Sequence, residues 1–147
     1  MKVVGNVTRM KNLCFKSNRN KANYVLDHAY KIGRPVLIFA EDEEYMYYFT
    51  MTSKGLNKYG KKFNDVFEIN MNHCGLKDSY INVCEIYRKK IHGYEELGYL
   101  DDNDMANLLK YFRYYQEHIN KDEYYDEVSP IINEYLNDIK VKHYINI

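Results

Sequence analysis

The stretch from Arg34 to Lys54 constrains the fold more than any other part of the chain. Arg34-Pro35 opens the run Val36-Leu37-Ile38-Phe39-Ala40, apolar at consecutive positions, which predicts a central strand covered on both faces. An acidic turn, Glu41-Asp42-Glu43-Glu44, follows it. In the next segment Tyr45, Tyr47, Phe49 and Met51 alternate with Met46, Tyr48, Thr50 and Thr52, a period of two that predicts a second strand ending at Thr52-Ser53-Lys54. Antiparallel strands joined by a tight turn lie side by side, so a cation entering the first comes near hydroxyls leaving the second. An arginine, two hydroxyls and a lysine suit a phosphate. They point to charge stabilisation and proton transfer at a phosphodiester rather than to a metal cage or a nucleotide-cradling glycine loop.

The flanking segments predict what surrounds this hairpin. Residues 3–9 read as a first strand, and Ser17 or Asn18 as the cap of a helix with Ala22, Val25, Leu26, Ala29 and Ile32 on one face and Gly33 at its end. Gly55 and Gly60 bound a lysine-rich loop, and Phe67, Ile69 and Met71 mark a third alternating strand. Ser79 to Ile91 reads as a long fourth strand. Its apolar positions Ile81, Val83, Cys84 and Ile86 change parity, which predicts a bulge or burial on both faces. Asp102 or Asn103 can cap a helix carrying Met105, Leu108, Leu109, Phe112 and Ile119, and Ser129-Pro130 reads as the start of another with Ile132, Tyr135, Leu136 and Ile139. Strands followed by helices predict an α+β fold: a small, strongly curved antiparallel sheet, barrel-like and closed or nearly closed, with helices packed around it.

At 147 residues the chain is long enough for one core and short for two, so residues 1–147 are read as a single domain. No apolar run approaches the ~20 residues that span a bilayer, and the basic N-terminus lacks the apolar segment of a secretory signal, so a cytoplasmic protein is expected. Cys14, Cys74 and Cys84 are odd in number and unpaired in spacing, which suits reduced thiols. A zinc set of His73, Cys74, Cys84 and His92 is disfavoured, since adjacent residues of an extended strand point to opposite faces. No metal and no cofactor is expected.

The formal net charge of zero hides a division. Residues 1–92 hold 16 Lys or Arg against 9 Asp or Glu, and residues 93–147 hold 5 against 12. Arg9, Lys11, Lys16, Arg19 and Lys21 form one basic group, and Lys58, Lys61 and Lys62 another directly behind Lys54. Two such segments meeting at one site make an electrostatic footprint for a polyanion. Seventeen tyrosines supply flat faces for stacking unpaired bases, and Tyr59, in the basic loop, is the best placed for base contact. His28, His73, His92 and His118 are scattered over different elements, none with an obvious partner in sequence.

The cation-entered strand Arg34-Pro35-Val36-Leu37-Ile38, the short turn and the strand end Met51-Thr52-Ser53-Lys54 resemble the toxin endoribonucleases of the MazF/Kid-like fold. The helix before Arg34, the lysine-rich loop after Ser53 and the helices after residue 101 look like the type III toxins of the ToxN/AbiQ group and their CptN and TenpN relatives. The resemblance implies a metal-independent endoribonuclease that cleaves mRNA and acts in phage defence. It also implies a partner: a small repeated RNA antitoxin, folded as a pseudoknot, that holds the toxin silent in a toxin–RNA assembly. Thr52 and Ser53 match the family's hydroxyl pair, Lys54 follows it, and Arg34 stands where the family more often has lysine. Neither a membrane nor DNA is an expected partner.

Metal-free cleavage uses the RNA's own 2′-hydroxyl as nucleophile and leaves a 2′,3′-cyclic phosphate and a 5′-hydroxyl. The enzyme must remove the 2′ proton, stabilise the phosphorane oxygens and protonate the departing oxygen. Arg34 suits the second task, Thr52 and Ser53 suit holding the phosphate and orienting the 2′-hydroxyl, and Lys54 suits an acid or a phosphate anchor. Two other readings compete: a MazF-like type II toxin with a protein antitoxin, and a non-catalytic module that only binds single-stranded RNA.

Overall fold

The computed structural model describes residues 4–10, 34–76 and 79–145, the side chains of His73 and of residues 140–145 excepted. The helix read between Ser17 and Gly33, and with it Lys11, Lys16, Arg19 and Lys21, lies outside the described residues.

The described strands are β1 (Asn6–Met10), β2 (Arg34–Glu41), β3 (Tyr45–Thr52), β4 (Val66–Ile69), β5 (Ser79–Asn82), β6 (Tyr87–Lys90) and β7 (Gly98–Tyr99), followed by α1 (Asp102–His118) and α2 (Tyr125–Ile145). The sheet is antiparallel throughout and runs β4-β5-β3-β2-β1-β7, with β6 also paired to β3. It curls strongly into a half-barrel with both helices packed alongside, the α+β architecture that the order of elements predicts.

The central hairpin explains the two-sided burial of its strands. Leu37, Phe39, Tyr47, Phe49 and Met51 join the main core with the helices, whereas Val36, Ile38, Met46 and Tyr48 pack with Met10 and Tyr87 on the other face. A register shift between Ile38 and Ala40 marks a bulge, so Phe39 and Ala40 both reach the main core although they are neighbours. Phe39 stacks on Phe49 with ring centroids 3.9 Å apart, and Phe112 of α1 meets both rings edge-on. Such aromatic pairs add roughly 0.5–1.5 kcal/mol beyond the area they bury.

Four readings need correction. The segment from Ser79 to Ile91 is not one strand: β5 and β6 both pair with β3, but Met51 faces Ile81 while Tyr48 faces Tyr87. Three more residues lie between these contacts on the outer segment than on β3, and Val83 to Ile86 loop out to absorb them. Helix α1 is capped by Asp101, whose side chain accepts the Asp104 N–H at 2.8 Å, and not by Asp102 or Asn103. Asp102 instead accepts a 2.8 Å bond from the Tyr135 hydroxyl and so ties α1 to α2. Helix α2 begins at Tyr125 rather than at Ser129-Pro130, with Pro130 inside it. Val128 and Tyr125 are buried in that earlier turn, and this tertiary burial outweighs the local start signal. Ile119, placed on the α1 core stripe by its spacing, is 44% exposed, and Tyr115 and Gln116 are buried instead.

Candidate active site

Register brings the sequence-selected residues together. Val36 pairs with Thr50 and Leu37 with Phe49, so continuing outward along the ladder sets Arg34 beside Thr52. On the other side of β3, Thr52 pairs with Tyr80, which brings the start of β5 against the same strand end. A cavity of about 210 Å³ opens there, lined by Arg34, Pro35, Met51, Thr52, Ser53, Leu76 and Ser79. By alternation Arg34 and Thr52 share the sheet face of Val36 and Tyr48, away from the helices.

The hydroxyls differ in setting. Thr52 is buried and its Oγ1 accepts the Lys54 backbone N–H at 3.0 Å, so its own proton remains available to donate. Ser53 is exposed just beyond the strand, and Ser79 is buried at the first position of β5. Lys54 is exposed and lies outside the cavity lining, which suits an anchor above the site better than a group within it. Two residues back, Asn82 Nδ2 donates to the Thr50 hydroxyl at 2.9 Å, a buried link between β5 and β3. Gly55 passes so close to Tyr80 that a Cβ there would lie 2.1 Å from the ring.

Of the basic candidates, Arg9 is exposed on β1 and pairs in register with Pro35, next to Arg34. Lys58, Lys61 and Lys62 are exposed on the loop that leaves Ser53, together with Tyr59. Ser79 was not selected from the sequence. It opens a strand well along the chain from Thr52, and only the pairing of β5 with β3 brings it to the site.

Of the described histidine side chains, neither His92 nor His118 lines this cavity. His92 Nδ1 lies 2.8 Å from the Gly93 carbonyl, which can only accept, so Nδ1 carries the proton in the neutral ring. The buried Tyr48 hydroxyl therefore donates to Nε2 at 2.9 Å. A larger cleft of about 750 Å³ is lined by Asn70, Asn72, Glu96, Gly98, Tyr99, Asp101 and Asp104. Its three carboxylates would repel a phosphate, so the smaller, arginine-lined cavity is the better candidate for phosphodiester chemistry.

Among the described residues no group of three or more His, Cys, Asp or Glu gathers as metal ligands do, and no described helix is long and apolar enough to cross a membrane. Compared with known proteins, the chain matches no protein-family model and no curated relative.

Proposed function

We propose that this chain is a metal-independent endoribonuclease of the type III toxin kind, acting in the cytoplasm on mRNA and silenced by a small repeated RNA. One observation carries the reading. Arg34, Thr52 and Ser53, drawn from the two ends of one antiparallel hairpin, line a single cavity of about 210 Å³ at the end of the sheet.

In this reading the scissile phosphate enters the cavity and the Arg34 guanidinium faces its non-bridging oxygens. The guanidinium stays charged at any working pH, so it stabilises the phosphorane without giving up a proton. Thr52 donates to one oxygen while its acceptor side stays engaged by the Lys54 N–H. Ser53, at the rim, orients the 2′-hydroxyl for in-line attack, a positioning role in which its own oxygen forms no bond to phosphorus. The 2′-hydroxyl gives up its proton to solvent as the 2′ O–P bond forms, and the O–P bond to the 5′ oxygen breaks with that oxygen taking a proton from solvent, leaving a cyclic phosphate and a 5′-hydroxyl. The division of charge along the chain favours an RNA inhibitor over a protein helix, since the basic face around the cavity can neutralise phosphates.

The test is to induce the wild-type gene and a Ser53→Ala variant separately and map the 5′ ends of cellular RNA. New 5′-hydroxyl ends at a repeated sequence with the wild type, and their loss in Ser53→Ala, are the expected result. A Ser53→Ala protein that cleaves fully sinks the assignment.

A further inference from the structure

The loop that leaves the candidate site is a braced finger. Leu56 and Lys62 form an antiparallel bridge, the Asn57 N–H donates to the Lys61 carbonyl at 2.8 Å, and the Gly60 N–H donates back to the Asn57 carbonyl at 3.0 Å. The Asn57 side chain completes the brace, its Oδ1 accepting the N–H groups of Tyr59 at 2.9 Å and Lys61 at 3.0 Å. Gly60 turns the tip with a φ of 78°, a left-handed conformation that costs glycine nothing. Such a finger is ordered before it binds, which removes part of the entropic cost of association.

At its tip Tyr59 is 77% exposed, and Leu56, in the bridge, is 48% exposed. The Lys58 ammonium sits 5.1 Å from the Tyr59 ring centroid, so the ring is already oriented by a cation on the finger itself. From Ser53 to Asn64 the chain carries four lysines and no acidic residue. A flat ring displayed among cations, at most about 22 Å from Ser53 along the chain, matches a strand of phosphates bearing unpaired bases.

The geometry points to a base-reading function for this finger: Tyr59 stacks on one unpaired base of a single-stranded RNA whose backbone continues into the Arg34, Thr52 and Ser53 cavity. The inference rests on the nuclease reading and extends it, because it makes the finger the element that sets where the strand is held. A base locked in a duplex has no exposed face for the ring, so paired RNA is excluded at this position.

The probe is a fluorescein-labelled 12-mer of 2′-O-methyl uridylate, which cannot be cleaved, beside an abasic strand of equal length. Wild type, Tyr59→Ala and Tyr59→Phe are compared by anisotropy. The Tyr59 side chain is exposed at the tip and lies outside the buried core, so neither variant removes core packing. The expected result is a loss of about tenfold or more in affinity for the uridylate in Tyr59→Ala, retention in Tyr59→Phe, and no difference between the proteins on the abasic strand. Equal affinity of wild type and Tyr59→Ala for the uridylate, an equal loss on both strands, or no binding of RNA by the wild type each overturns the inference. So does binding to phosphatidylserine vesicles that depends on Tyr59 while RNA binding does not. Failure of the nuclease reading is distinguishable: Tyr59-dependent binding by a protein that leaves RNA intact sinks cleavage and keeps the finger, and Ser53-dependent cleavage without a Tyr59 effect does the reverse.

Discussion

Asn82 donates through Nδ2 to the hydroxyl of Thr50 at 2.9 Å, buried between β5 and β3 two residues short of Thr52. The bond fixes the spacing between the strand that supplies Thr52 and the strand that supplies Ser79. Replacing Asn82 with Leu removes the donor and leaves the Thr50 oxygen in an apolar setting, at a cost of about 1–3 kcal/mol. Urea unfolding of Asn82→Leu measures this, and Asn82→Leu with Thr50→Val should recover part of the loss. A variant as stable as wild type would show that the link does not hold the strands.

Gly55 and Tyr80 form a second constraint on the same site. A Cβ on Gly55 would meet the Tyr80 ring near its root rather than at a mobile tip, so the ring or the loop must shift. Gly55→Ala should destabilise by roughly 1–3 kcal/mol, as overpacking does. Tyr80→Ala opens the space, and the double variant should be less destabilised than the sum of the two single changes. Additive losses would mean that the two residues do not press on each other.

These contacts show which parts of the molecule were legible in the sequence. The hairpin was readable because its alternation and its turn are local, and the apolar run from Val36 to Ala40 is what a two-sided strand requires. The interruption between β5 and β6 was visible only as a change of parity at Val83 and Cys84. Its length was not, because three extra residues are measured against β3, a partner far away in sequence. The early start of α2 was hidden for a similar reason: burial of Tyr125 and Val128 against the sheet and α1 overrides the start signal of Ser129-Pro130. Arg34, Thr52 and Ser53 could be chosen from strand ends alone, whereas Ser79 could not, since its closeness depends on long-range pairing.

Arg34→Ala should lose far more cleavage than affinity. An interaction that strengthens in the transition state acts on turnover, whereas a ground-state contact acts on binding. Single-turnover rates set beside affinities for an uncleavable RNA separate the two, and equal losses would make Arg34 a binding cation. In the proposed mechanism the guanidinium, not a metal ion, supplies the charge at phosphorus, so wild-type cleavage should also persist in excess EDTA. Activity abolished by EDTA and restored by magnesium would overturn this mechanism.

Stability should fall at alkaline pH. Burial pushes the Tyr48 phenol up to about 12, with the nearby Tyr94 adding to it. Burial and the hydrogen bond to Glu117 push Tyr125 up to about 12 as well. In the unfolded chain each phenol ionises near its ordinary value of about 10. The folded state therefore holds more protons between pH 10 and pH 12, and stability that is fully present below pH 10 is lost across that interval. Urea midpoints between pH 8 and pH 11.5 should decline above pH 10, with a shallower decline in Tyr48→Phe. Identical slopes for the two proteins would show that Tyr48 does not contribute.

Binding of RNA should depend steeply on salt, and the dependence should belong to the basic face. Lys58, Lys61 and Lys62 are exposed on the finger beside the cavity, whereas Lys110 is exposed on α1, in the acidic C-terminal part of the chain. Each phosphate neutralised releases condensed counterions, so the slope of log affinity against log salt falls by about 0.7 for every single-strand contact removed. Reversing all three finger lysines to glutamate should flatten the slope by about 2 and weaken binding at every salt concentration. Reversal of Lys110 should leave both unchanged. The finger lysines are solvated, so the fold survives their reversal and the loss is electrostatic. If an RNA silences the protein through the same face, as proposed, the triple reversal should also relieve that inhibition, and protein purified with its native upstream region should no longer carry RNA. Equal effects from Lys110 and from the finger would mean that net charge, rather than this surface, governs binding.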